Sequence, residues 1–326
     1  MPFYTRATMP DTNVTFAGLP LRSPIVIEPS GTVLSSATAR SAVEAGAGAV
    51  CLPPLDGERL NHRSDPDELT EHNLDDDGRR QSLRIVRKLN TQAYLDEVDR
   101  FASALEVPVI APLQCERRGN WLAIAEQLRE AGAAAIELRP QVEEMARTMR
   151  SDQIEKAIVR ITASVAGRID VPVIVRIPVG SLGSIGLVQA LGDADAAAVA
   201  IRPLDTMRSF DLGGPTLRPT ADDEAGQRAA FFSQLTACRA LYRRVAPHLA
   251  LRLPERHDAA LTEALLAGAT LGTLPVDGED PRAAQDAVDR IQTTTDGWLR
   301  QHRMSSLFDA RGLLSESRLT SSLENS

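Results

Sequence analysis

The sequence predicts an α/β fold, a (β/α)8 (TIM) barrel preceded by a β-hairpin. Three observations carry that prediction. Eight short apolar runs recur along the chain. Helical patterns fill the stretches between them. Three helix-to-strand joints repeat one Ala-Gly-Ala phrase, in EAGAGAVCL, EAGAAAIEL and LAGATLGTL. Apolar runs without polar alternation suit strands covered on both faces, as in parallel sheets. Alternation of strand and helix over most of a chain this long gives a closed barrel. A doubly wound open sheet is the alternative, but it more often carries a long glycine-rich first turn, which this sequence lacks.

The hairpin comes first, in VTFAGLPLRSP (14–24), with Gly18 in the turn, and is expected to cap the bottom of the barrel. The eight strands are read at IVIEP (25–29), AVCL (49–52), VIAPL (109–113), AIEL (135–138), VIVRI (173–177), AAVAI (197–201), LALRL (249–253) and LGTL (271–274). Between them, 38–49, 121–133, 152–169 and 261–269 read as helices. Gly132, Gly167 and Gly268 stand where a helix ends on a left-handed residue. Residues 56–80 are polar and very acidic, and form a long insertion after strand two, read as a solvated loop or as a lid. Residues 205–230 are a second long connection, rich in Gly, Pro and Asp. The last helix is placed near 281–303. Residues 1–315 make one domain and 316–326 a polar, disordered tail.

Composition excludes several classes. The chain has 326 residues, 43% of them hydrophobic, which is enough for a large core. The formal charge is −8 with no long basic run, so nucleic acid is not the expected partner. No apolar run approaches a membrane span, and MPFYTRATMPDTN lacks the apolar stretch of a secretory signal. Cys51, Cys115 and Cys238 are far apart and offer neither a zinc motif nor a disulfide framework, which fits a reduced cytoplasmic setting.

A family resemblance rests on ordered phrases: VTFAGLPLRSPIVIEPSG, VEAGAGAVCL, VPVIAPLQCERRGNWLAIAEQLREAGAAAIELR, VPVIVRIP, ALLAGATLGTL and TDGWLRQHRMSSLFDARG. Together they resemble the dihydroorotate dehydrogenase-like proteins near the class 1 enzymes, over roughly residues 13–315. The resemblance implies an FMN-binding barrel that oxidises dihydroorotate to orotate in pyrimidine biosynthesis, or carries out a related flavin redox reaction. It also implies a homodimer. The FMN would lie at the C-terminal face, its phosphate on the turns after strands seven and eight.

Carried over residue by residue, the family's site is mostly replaced. Ser30 and Gly31 keep its small turn after strand one, and Gln114 stands for a substrate-contacting asparagine. Pro53 and Pro54 replace a lysine, Arg139 an asparagine, Arg176 the flavin lysine and Ile201 a further asparagine. PQVEEM holds neither the Cys nor the Ser expected as base, and Cys115 lies in another loop. Leu253 and Pro254 take the glycine positions after strand seven, and Leu274 and Pro275 those of strand eight. A phosphate held by converging backbone N–H groups needs close approach, so Leu253 reads as bulk where its oxygens would lie, and Pro254 as a lost donor.

Arg139, Arg176, Arg202 and Arg252 lie in or just after strands four to seven, each followed closely by a proline. Glu28 and Glu137 sit within strands one and four, and Glu137 and Arg139 share parity. Two readings stand: an internal ion-pair network plugging the old pocket, or an arginine-lined site for FMN or another small anion. Accordingly the chain is either a flavin oxidoreductase with altered contacts or a catalytically silent barrel that binds a partner or an anionic ligand. His62 and His72 beside Asp65, Asp67, Glu68 and Asp75 to Asp77 read as a solvated loop rather than a metal site. His257, next to Asp258, reads as a helix start. Trp121 and Trp298 read as packing, and the glycines of 183–192 form no phosphate loop.

Overall fold

The computed structural model describes residues 10–56, 91–115, 121–179, 184–203, 208–210, 217–219 and 224–314. The acidic insertion from residue 57, with its histidines, Gly183 and the tail from 315 lie outside them.

The chain opens with the hairpin β1 (Val14–Phe16) and β2 (Leu19–Leu21), paired antiparallel through Ala17 and Gly18. Both turn residues have positive φ, +52° and +82°, the left-handed pair that matches strand twist in a two-residue turn. The barrel strands follow as β3 (Ile25–Pro29), β4 (Ala49–Cys51), β6 (Val109–Cys115), β7 (Ala135–Pro140), β8 (Val173–Pro178), β9 (Ala198–Arg202), β12 (His248–Arg252) and β13 (Leu271–Val276). Each is parallel to its neighbours, and β3 bonds β13 while β4 bonds β6, so the ring is closed. The eight runs read from sequence are these eight strands, to within two residues at either end. Pro53 and Pro54 interrupt the second strand, which resumes as β5 (Leu55–Asp56) beside Leu113 and Gln114.

Helices α1 (Ser36–Glu44), α2 (Thr91–Ala104), α3 (Trp121–Glu130), α4 (Val142–Ala146), α5 (Ser151–Ala166), α6 (Ser184–Asp193), α7 (Glu224–Leu241), α8 (Ala260–Leu266), α9 (Pro281–Gln301) and α10 (Leu307–Ala310) are the helices of the described residues. Gly132 and Gly268 end α3 and α8 with φ of +95° and +106° as the sequence suggests. Gly167 does not: its φ is −74°, because α5 closes with Gly167 N–H bonding Ala163 O and Arg168 N–H bonding Val165 O, without reversing hand. The 205–230 connection contains a ribbon that composition hid, β10 (Arg208–Phe210) with β11 (Leu217–Pro219), and α7 begins within it.

Strand alternation sorts side chains into two cores. Ile27, Val50, Leu113, Leu138, Val175, Val199, Leu251 and Leu274 point outward under the helices. Val26, Ala49, Cys51, Ile110, Ala135, Ile174, Ala198, Ala200, Ala250 and Leu271 fill the barrel, and Phe16, Ala17 and Leu21 of the hairpin close its lower end against them. The hairpin is pinned there by Ala17 N–H, which donates to His248 Nδ1 at 3.0 Å.

Candidate functional site

The same alternation that fills the lower barrel with small apolar side chains puts charge in its upper half. Glu28 on β3, Glu137 and Arg139 on β7, Arg176 on β8, Arg202 on β9 and Arg252 on β12 all have inward parity. The side chains of Glu28, Glu137 and Arg202 are only 6%, 5% and 3% exposed. A buried charge is tolerated when it is paired and hydrogen-bonded, and most of these are. Arg139 Nε donates to Glu137 Oε1 at 2.6 Å. Arg176 reaches both acids, Nε to Glu137 Oε1 at 2.8 Å and Nη2 to Glu28 Oε2 at 2.6 Å. Arg139 Nη2 also approaches Glu28 at 3.4 Å and Cys51 Sγ at 3.5 Å.

Arg202 and Arg252 are served less well. Arg202 Nη2 lies 3.5 Å from Glu28 and 3.9 Å from Glu137, and donates to Thr273 Oγ1 at 3.0 Å. Its Nε and Nη1 are buried and have no hydrogen-bond partner among the described residues. Arg252 Nε stands 3.8 Å from Glu28 Oε1, with its side chain 30% exposed toward the mouth. Electrostatics follow the geometry. Burial opposes ionisation of Glu28 and Glu137, but the guanidiniums around them, Arg176 foremost, hold both well below the usual carboxylate range. Against burial, Glu137 and Glu28 push Arg176 up. Arg202 moves the other way: burial and then the neighbouring Arg176 bring it down to about 10. Cys51 is pushed up to about 12 by burial and then by Glu137, so it is a thiol and no nucleophile.

The structure thus brings together Arg139, Arg176, Arg202 and Arg252 with Glu28 and Glu137, and adds Thr273 and Cys51 to them. Thr273 and Cys51 escaped sequence reasoning; their signal was inward parity on β13 and β4. Gln114 lies beside Arg139 in the β6–β7 register. Ser30 and Gly31 stand apart on the exposed rim. Both the N–H and the hydroxyl of Ser30 donate to Val276 O, at 2.8 and 2.9 Å. Cys115 is buried at the end of β6, its Sγ 3.4 Å from Leu113 O.

The turns after β12 and β13 test the fit of a flavin phosphate. Leu253 N–H bonds Thr273 O at 2.8 Å, Pro254 has no N–H, and Glu255 N–H donates to Gln227 Oε1 at 3.3 Å. After β13, Glu279 N–H donates to Asp277 Oδ1 at 2.9 Å and Asp280 N–H to Asp277 O at 3.3 Å. Asp280 then caps α9. These donors are engaged within the chain, and the second turn presents two carboxylates, so the residues do not fit a phosphate. The expectation for Leu253 needs correcting. Its side chain is 1% exposed and packs outward on Gly272, because residue 253 has the parity of Leu251. It blocks nothing in the mouth; its backbone is what is unavailable.

A separate cavity of about 160 Å³ lies between α7 and the turn after β12, lined by Glu224, Arg228, Glu255, Arg256 and His257. Two acids, two arginines and a histidine share its wall. His257 Nε2 sits 3.0 Å from Glu263 Oε2, a pairing that lay hidden because Glu263 is one turn into α8.

No protein-family model matches the sequence, and no curated protein matches it either. Solved structures do share its architecture. A mandelate oxidase mutant with benzaldehyde superposes with a TM-score of 0.55 at 12% identity, covering 96% of this chain and 84% of that one. A second mutant, with 2-hydroxy-phenylacetamide, gives 0.56 at 13% identity, over 95% and 84%. At such identity the likeness establishes the barrel and says nothing of the chemistry in it.

Proposed function

We propose that this chain is a barrel of the flavin-oxidoreductase type that has relinquished the flavin and serves as a binding protein for a small anion. The kinship is supported by the fold shared with mandelate oxidases, at a TM-score of 0.55 to 0.56. It is supported also by the ordered phrases that resemble dihydroorotate dehydrogenase-like proteins. The loss of flavin rests on one observation: four backbone donors after β12 and β13, those of Leu253, Glu255, Glu279 and Asp280, are already bonded within the chain, and Pro254 lacks one altogether. At the turn after β12, Arg228 and Arg256 stand beside Glu224 and Glu255, and the larger cationic cluster lies in the barrel mouth. Ser30, Gly31, Gln114 and the four arginines then serve as rim and floor of an anion site, not as flavin contacts.

The test is the flavin content of the purified protein, by visible absorbance and by release on denaturation. A colourless protein that gains no thermal stability from added FMN is the expected result. Stoichiometric FMN, or electron transfer from a 2-hydroxy acid or dihydroorotate, would overturn the reading and return the chain to the oxidoreductases.

A further inference from the structure

The two acids of the upper barrel are not shared evenly among the four arginines. The contacts below 3 Å all belong to Arg139 and Arg176. Those of Arg202 and Arg252 to carboxylates fall at 3.5 to 3.9 Å, beyond hydrogen-bonding range for a good charge-assisted bond. Among the described residues two guanidiniums are therefore matched and two are in excess. The excess pair is also adjacent. The β9–β12 register runs Ala200 with Ala250 and Ile201 with Leu251, so the next pair is Arg202 with Arg252, side by side and both facing inward. Like charges directly across neighbouring strands repel, and burial of one of them deepens the cost. Arg202 nevertheless places Nε and Nη1 where no described residue accepts from them.

We infer that Arg202 and Arg252 form the binding site for a small oxyanion carrying two negative charges, such as a short dicarboxylate or inorganic phosphate. The inference rests on the anion-binding reading above and gives that anion its charge, size and anchor. A dianion neutralises the excess exactly where the chain leaves it. Their strands lie about 5 Å apart, and two guanidiniums rising from adjacent strands can converge on one tetrahedral oxyanion or on the two carboxylates of a C3 or C4 diacid. Thr273, already bonded to Arg202 Nη2, fixes the plane of the buried guanidinium, so it needs little ordering on binding. Arg252, the more exposed of the two, is the entry-side partner. Arg139 and Arg176 stay with their carboxylates and position the floor.

The experiment is a thermal melt of the full chain in malonate, succinate, phosphate, acetate or chloride at matched ionic strength, followed by calorimetric titration. At ~10 mM the dianions are expected to raise the midpoint by several degrees, and acetate and chloride by less than about one degree. Malonate or succinate exceeding phosphate identifies a dicarboxylate site; the reverse identifies a phosphate site. Either order supports the inference. Arg202→Met is expected to abolish the dianion shift while leaving the ligand-free protein as stable as the parent or more so. A purely structural arginine would not give that combination. Arg252→Met, at the more open position, guards against misfolding of the first variant and is expected to weaken binding at least tenfold. If no dianion shifts the midpoint more than chloride does, the chain's own carboxylates satisfy the pair and the inference is overturned. A colourless protein would still leave the flavin-free reading standing. A yellow one would remove that reading first.

Discussion

Replacing Glu28 by Gln tests whether the upper barrel is held by charge. Glu28 reaches four guanidiniums, at 2.6, 3.4, 3.5 and 3.8 Å, with its side chain 6% exposed. At an effective dielectric near 20 each contact carries roughly 4 kcal/mol of attraction before solvation is counted. Most of that offsets the cost of stripping water from the carboxylate. What decides the outcome is that Gln leaves four buried or half-buried cations with Glu137 alone. Removing one partner of a buried ionic group costs about 3–5 kcal/mol. For a domain of this size that is a fall of roughly 4–8 °C in melting temperature. Calorimetry at neutral pH, with urea denaturation as a second probe, measures it. Adding Arg202→Met to Glu28→Gln removes one of the stranded cations and should recover part of the loss, a coupling that a double-mutant cycle reads directly. A fall of less than about 1 kcal/mol in the single variant would refute the reasoning, because it would mean water already screens the layer.

Further outcomes follow from the same structure. Stability should fall as pH drops below about 4.5, the ordinary value for Glu, and go on falling to near pH 2, because Glu28 and Glu137 are depressed in the folded state and the unfolded chain takes up protons first. An acid titration that stays flat until pH 2 would contradict this. His248 is held below its ordinary 6.5 by burial and then by Arg311, so it adds a smaller loss of stability as pH falls through that value. His248→Leu should erase that step and leave Ala17 N–H without its acceptor, costing about 1–3 kcal/mol by urea denaturation. Gly48→Ala should be among the most damaging small substitutions. A Cβ there would stand 2.1 Å from Ser23 O, which is backbone and cannot rotate away. Expression as soluble, cooperatively melting protein with a loss below ~1 kcal/mol would show the approach to be looser than described.

The barrel was legible because its strands announce themselves twice, as unbroken apolar runs and as targets of repeated helix-ending phrases. IVIEP and VIVRI carry their charges at Glu28 and Arg176, and the period of two assigns both to the interior without any coordinates. Parity also shows where the sequence reading slipped. Leu253 reads from sequence as a mouth residue because it holds a glycine position of the family's site, yet it belongs with Leu249 and Leu251 on the outer face. At the same turn, the N–H groups of Leu253 and Glu255 are bonded to Thr273 and Gln227, partners 20 and 28 residues away that no local pattern reveals. The arginines illustrate the same limit. Sequence gave four cations and two acids near one end of the barrel and left open whether they plug it or line it. Only distances separate the matched pair from the excess pair.

The charged layer has a consequence for how the strands choose their alignment. If β8 slipped by one residue, Arg176 would exchange places with Val175 or Ile177 and enter the outer apolar layer, while an aliphatic chain faced Glu28 and Glu137. A slip of two residues would keep the face but move the guanidinium about 6.6 Å along the barrel, out of reach of both acids. The mostly small, apolar lower half, with alanine at 198, 200 and 250, penalises such slips weakly. Glu28 contacts residues from β7, β8, β9 and β12 at once, so a single carboxylate checks the alignment of four strands against the first. The ionic ring thus acts as a vernier, reading to one residue a sheet that its hydrophobic half would let slide.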